Sequence, residues 1–222
     1  MHIGLFQIKG DETMNNRKTI DIALGIIFFG TLWGFFEVSL GGWLYSQEIA
    51  YPSIYMTAIA VFILAAAKVL YPHMWTGTAI GSLAMLFKLA NEPFFACHLL
   101  AIFLFGAGFD LSYALVSRLY HGRFRLPVIG LIGTYAGRAL FAVIITYVVR
   151  YHFWTDAGVS KVIDYIFITG TVSALIGSIA VPAGSSLAHS IQEFARLKLR
   201  PNLSTSLVLT ASAGIWILQA IL

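Results

Sequence analysis

The chain has 222 residues, 59% of them hydrophobic and only 11% charged, with a mean hydropathy of +0.82. Ten acids and fourteen bases cannot supply the charged shell of a soluble domain of this size, and the apolar runs lack the two-residue alternation of an outer-membrane barrel. The net charge of +4 lies in short basic clusters between those runs, which points to membrane orientation and away from nucleic acid, and a single cysteine excludes an internal disulfide.

Residues 1–18 are polar and are expected to form a loose cytoplasmic segment, with residues 19–222 making one transmembrane helical domain. Seven apolar segments follow, at 19–45, 52–71, 76–91, 94–119, 127–150, 162–192 and 203–222. Most reach the ~20 residues that carry a helix across the hydrocarbon core. The first is too long for a signal-peptide core and no A-x-A-like site follows it, so it reads as a retained helix. The third is short and stops near Asn91-Glu92-Pro93; the sixth contains Pro182 and is long enough to project beyond the bilayer. The seventh, rich in Ser and Thr, either spans or packs as a terminal hairpin. The fold class is therefore all-α: a polytopic bundle of six to seven spans.

Orientation follows from the bases. Lys9, Arg17, Lys18, Lys68, Arg118, Arg123, Arg125, Arg196, Lys198 and Arg200 fall on one side of this topology, and Arg150 and Lys161 on the other. The N-terminus is accordingly expected to be cytoplasmic, and the loops near Glu48, Glu92 and Asp156 to face outward. Gly30-x-x-x-Gly34, Gly77-x-x-x-Gly81 and Gly133-x-x-x-Gly137 each place two glycines on one helix face, for packing within the bundle or against a partner.

Ionisable side chains inside spans cost ~2.5–3.5 kcal/mol each on insertion scales and commonly face a bundle interior or water. Depth sorts them. Glu37, Lys88, His98 and Asp164 all fall in the outer half, beside Cys97 and close to Glu92; Asp110 falls toward the cytoplasmic side and Arg138 near mid-depth. Trp33, Phe35, Phe36, Trp43, Phe94, Phe95 and Trp154 share the outer level, and aromatic walls with a few polar groups describe a small-molecule pocket. Trp43 and Trp154 fit an interfacial aromatic belt better. A Glu37–Lys88 ion pair that only braces the bundle is the alternative for those two, and Asp110 with Arg138 is expected as a second structural pair. Cys97 and His98 are adjacent, so on a helix they diverge by ~100° and cannot readily share a metal ion. The pairing of Ser185 and Ser186 with His189 is a weak hydrolase signal.

The stretch GSLAMLFKLANEPFFACHLLAIFLFGAGFDL combines a short outward helix ending in Lys, a polar outer loop with Pro and a Gly-rich apolar helix. It resembles the third and fourth helices of the substrate-binding S components of energy-coupling-factor (ECF) transporters, and the likeness extends over roughly residues 19–195. The resemblance implies a plasma-membrane subunit that captures a vitamin or related micronutrient from outside. It also implies a transmembrane coupling subunit and two ATPases as partners, with Gly30 and Gly34 matching the docking face of the first helix. No cofactor, metal or chemistry of its own is expected, and no phosphate-cradling G-x-x-x-x-G-K-[ST] occurs. Glu37, Lys88, Asn91, Glu92 and His98 are the expected ligand contacts, with Lys88 suited to a carboxylate or phosphate and Trp33, Phe94 and Phe95 stacking on a ring. The rival classes are an intramembrane enzyme or haem- or metal-binding redox subunit using Cys97, His98 and Asp110, a proton-coupled carrier, and a scaffold whose charges only pair.

Overall fold

The computed structural model describes the backbone of residues 3–91, 96–198 and 201–221 and the side chains of residues 19–91, 96–193 and 206–221. Its long helices are α1 (Ile3–Ser46), α2 (Pro52–Leu70), α3 (Thr76–Asn91), α4 (Ala96–Leu119), α5 (Arg125–Val143) and, after two short helices α6 (His152–Thr155) and α7 (Gly158–Ile163), α8 (Thr169–Lys198) and α9 (Pro201–Ile221). Five stretches are long and apolar enough to cross a membrane: Thr19–Ser46, Pro52–Leu70, Ala96–Leu119, Arg125–Val148 and Gly158–Glu193. The protein is all-helical among its described residues and, by these five stretches, a multi-pass membrane protein. The backbone of α1 begins at Ile3, so the segment expected to be loose is continuous with the first span.

Six helices close a ring in the order α1, α2, α8, α5, α4, α3 and back to α1, each touching the next. α3 has 16 residues, ~24 Å of helix, less than the ~30 Å hydrocarbon core. α9 lies outside the ring against α1. Ser39 donates to Gln219 Oε1 at 2.8 Å, and the Trp216 ring meets the fully buried Phe87 at 4.4 Å between centroids. The seventh segment thus forms an outer layer on the bundle.

Hydrocarbon offers helices little hydrophobic reason to associate, so close backbone approach and dispersion hold them. A Cβ on Gly30 would stand 2.7 Å from Leu83 Cβ, and one on Gly34 2.6 Å from Phe87 Cβ. The small-residue face of α1 is therefore covered by α3. This corrects the expectation that Gly30 and Gly34 present a docking face: the shape that would admit a partner helix already admits α3.

Opposite ends of the ring differ in chemistry. At the end where α2 finishes and α3 begins, Lys68 is 5% exposed and Asp110 of α4 is 2% exposed. Lys68 Nζ donates to Asp110 Oδ1 at 2.5 Å and to the carbonyls of His73 and Met74 at 2.7 and 3.0 Å. Asp110 also accepts from the backbone N–H groups of Gly77 and Thr78 and from the Thr78 hydroxyl. An acidic group on the first N–H groups of a helix is favourably placed against its dipole. The expected Asp110–Arg138 pair does not form. Lys68, read from sequence as an orientation-setting loop charge, takes the carboxylate instead, because the last turn of α2 brings it under the start of α3.

Candidate functional site

At the other end, where α1 finishes and α2 begins, the ring surrounds a half-open cavity of about 290 Å³. α1 contributes Trp33, Glu37 and Tyr45 from its C-terminal half; α2 contributes Ser53 and Thr57 from its first turns; α3 contributes Lys88 from its last. α4 adds Cys97, His98 and Phe105, α5 adds Phe141, and Phe153, Trp154 and Tyr165 come from beyond it. The volume is at the low end of the ~300–1,000 Å³ typical of small-molecule pockets, and the aromatic lining with convergent polar groups matches their usual chemistry.

One turn of α1 sets the first polar group: Trp33 Nε1–H donates to Glu37 Oε1 at 3.1 Å. Lys88 Nζ donates to the Glu37 main-chain carbonyl at 3.1 Å and stands 3.9 Å from Glu37 Oε2. The His98 ring stacks on Tyr45, centroids 5.8 Å apart and planes 26° off parallel.

The far wall is built around irregular helix. A π-helical turn, Ile144–Val148, ends the α5 span, and a second, Asp164–Ile168, leads into α8. Such turns insert an extra residue and redirect the face that follows, and they recur at functional sites. The second supplies Tyr165, which lines the cavity while the flanking Asp164 is exposed. The short α6 folds over this wall, so Trp154 packs edge-on against Phe141 and Tyr165, each at 5.1 Å. Trp154 is 6% exposed and is a cavity wall, not the belt residue its loop position suggested. Trp43, 53% exposed, does sit at the surface. Lys161 ties α6 to α7: it donates to the Phe153 carbonyl at 3.1 Å and lies 3.3 Å from the centre of the Phe153 ring.

Of the residues expected to contact a ligand, Trp33, Glu37, Lys88 and His98 converge on the cavity. Asn91 does not line it; its amide donates back to the Phe87 carbonyl, satisfying the end of α3. Glu92, Phe94 and Phe95 lie outside the described residues. Sequence reasoning missed Tyr45, Ser53, Thr57, Phe105, Phe141 and Tyr165. Ser53 and Thr57, four apart and so on one face of α2, carried the signal that was available.

The enzyme trio of Cys97, His98 and Asp110 is not assembled. Asp110 binds the start of α3, whereas the cavity meets that helix at Lys88, ten residues or ~15 Å further along. Among the described residues no three His, Cys, Asp or Glu side chains are grouped to hold a metal ion. Ser185 is buried while Ser186 and His189 are exposed, and among the described residues no hydrogen bond joins His189 to either serine. The chain matches no family model, no curated protein and no solved structure.

Proposed function

We propose that the protein is the substrate-capture subunit of a small-molecule uptake system in the cell inner membrane. The carrying observation is the cavity: an aromatic-walled chamber with a few polar side chains, set among the ends of five long helices. In this reading the ring crosses the bilayer with six to seven spans and the N-terminus is cytoplasmic. The cavity end then faces outward, because Lys68, Arg118, Arg123 and Arg125 cluster at the other end. The ligand is a vitamin or comparable micronutrient. Transport requires a transmembrane coupling subunit and ATPases, since the chain has no nucleotide-cradling loop of its own. The likeness to ECF S components supports this assignment through residues 19–195. With Gly30 and Gly34 covered by α3, a coupling subunit would dock elsewhere on the bundle.

Native mass spectrometry of the protein purified in mild detergent tests the proposal. One small molecule co-purifying near unit stoichiometry, and lost when Trp33 is replaced by Ala, is the expected result. A stoichiometric haem or metal instead would move the protein to the redox class, and an unliganded protein that also fails to accumulate any solute in cells would end the capture reading.

A further inference from the structure

Arg138 of α5 is 1% exposed and lies inside a membrane span. Lys68 and Lys88 each have a carboxylate; among the described residues Arg138 has none. Its Nη1 donates to Thr169 Oγ1 at 3.2 Å, and its Nη2 reaches Ser53 O, Ser53 Oγ and Thr57 Oγ1, all at 3.4 Å. Its Nε–H has no acceptor. N–H···O bonds cluster near ~2.9–3.0 Å, so this guanidinium is both unpaired and loosely held. A buried charge without a counterion is strongly destabilising, and a lipid surround adds to that. The Tyr165 ring, 4.7 Å from the guanidinium carbon, supplies a partial compensation.

Three of the groups around Arg138 belong to the cavity: Ser53, Thr57 and Tyr165 all line it. The two hydroxyls accept from Arg138, and among the described residues neither donates to anything. Each therefore has an O–H available to a molecule in the cavity, with a positive charge directly behind it. Lys88, by contrast, is engaged with Glu37. Among the described residues the uncompensated charge of the wall is one unit. A carboxylate supplies one unit of opposite charge, whereas a phosphate monoester carries about 1.5 to 2 at pH 7.

We propose that the cavity takes a small monocarboxylate, its carboxylate on the Ser53 and Thr57 hydroxyls with Arg138 as countercharge, and its apolar body against Trp33, Phe105, Phe141 and Trp154. The inference rests on the cavity being a capture site and names the class of molecule captured.

The test is titration of the nanodisc-reconstituted protein with hexanoate, cyclohexanecarboxylate and phenylacetate, each beside its primary amide, and with phenyl phosphate. Tryptophan emission is the readout, since Trp33 and Trp154 form part of the wall. Charge-assisted bonds predict that at least one acid binds about tenfold or more tighter than its amide. That preference should vanish in Arg138→Gln and fall in Ser53→Ala/Thr57→Val, which keeps Arg138 and guards against misfolding of the first variant. Equal binding of acids and amides, tighter binding of phenyl phosphate, or an undiminished preference in both variants overturns the inference. Should no probe bind while a neutral or cationic molecule co-purifies, the monocarboxylate is wrong and capture stands; should no probe bind and nothing co-purify, both fall.

Discussion

Lys88 of α3 donates to the main-chain carbonyl of Glu37 at 3.1 Å and faces the carboxylate of the same residue at 3.9 Å. One lysine thus holds two oxygens of one α1 residue at the cavity wall. The pair differs in kind from Lys68–Asp110, where the ions meet at 2.5 Å and backbone groups complete both. Replacing Asp110 by Ala leaves a buried ammonium unpaired and frees the start of α3, an expected loss of about 3–5 kcal/mol. Glu37→Gln keeps an acceptor for Trp33 and the main-chain carbonyl for Lys88, and weakens an ion pair that is already long, so it should lower stability far less. Thermal unfolding of the two variants in detergent measures the difference. Comparable losses would mean the cavity pair braces the bundle as the other does.

Leu83 and Phe87 fill the space over Gly30 and Gly34, and Phe87 is in turn held by Trp216 of α9. Gly34→Leu should therefore destabilise the isolated chain by at least the ~1–3 kcal/mol of an overpacked core, since the ring it displaces has no free side to move into. A size-exclusion and thermal-melt series on the chain alone checks this. An unchanged melt would return the glycine pair to the role of a docking face for another protein.

Lys161 joins the two short helices over the cavity, through the Phe153 carbonyl and ring and the Trp154 ring 5.1 Å away. Few other polar ties hold α6, so Lys161→Ala should speed amide exchange across residues 152–163 and leave the centres of α2 and α5 protected. Hydrogen exchange by mass spectrometry reads both regions together. Faster exchange throughout the bundle would show that the segment is integral to the ring.

Helix placement was largely legible because apolar runs of 16 residues or more leave little freedom: the segments expected at 52–71, 76–91, 94–119 and 203–222 fall within a few residues of α2, α3, α4 and α9, whereas α1 extends back to Ile3 and the sixth segment is divided between α7, a π-turn and α8. The meeting of Trp33, Glu37, Lys88 and His98 was legible too, since alternating helix direction converts sequence position into depth. What stayed hidden depends on rotation about helix axes. The π-turn that aims Tyr165 inward has no residue signature, and the fold-back of α6 turns Trp154 from a surface ring into a wall. Partner choice was hidden for the same reason. Depth allowed Asp110 to be matched with Arg138, but only the ring order brings the end of α2 beneath the start of α3 and gives the carboxylate to Lys68.

Cys97 lines the cavity and is the chain's single thiol, so it reports on that space without background. It is half-buried, at the first turn of α4, on the wall opposite Ser53 in the ring order. A membrane-impermeant maleimide added to intact cells should label it slowly if the cavity end faces outward, and not at all if that end faces the cytoplasm. Cys97→Ser gives the blank. Labelling in right-side-out but not inverted vesicles would fix the sense of every span, because all are tied to α4 through the ring. The reverse pattern would invert the topology and turn the cavity toward the cell interior, which would overturn the proposed capture of external solutes.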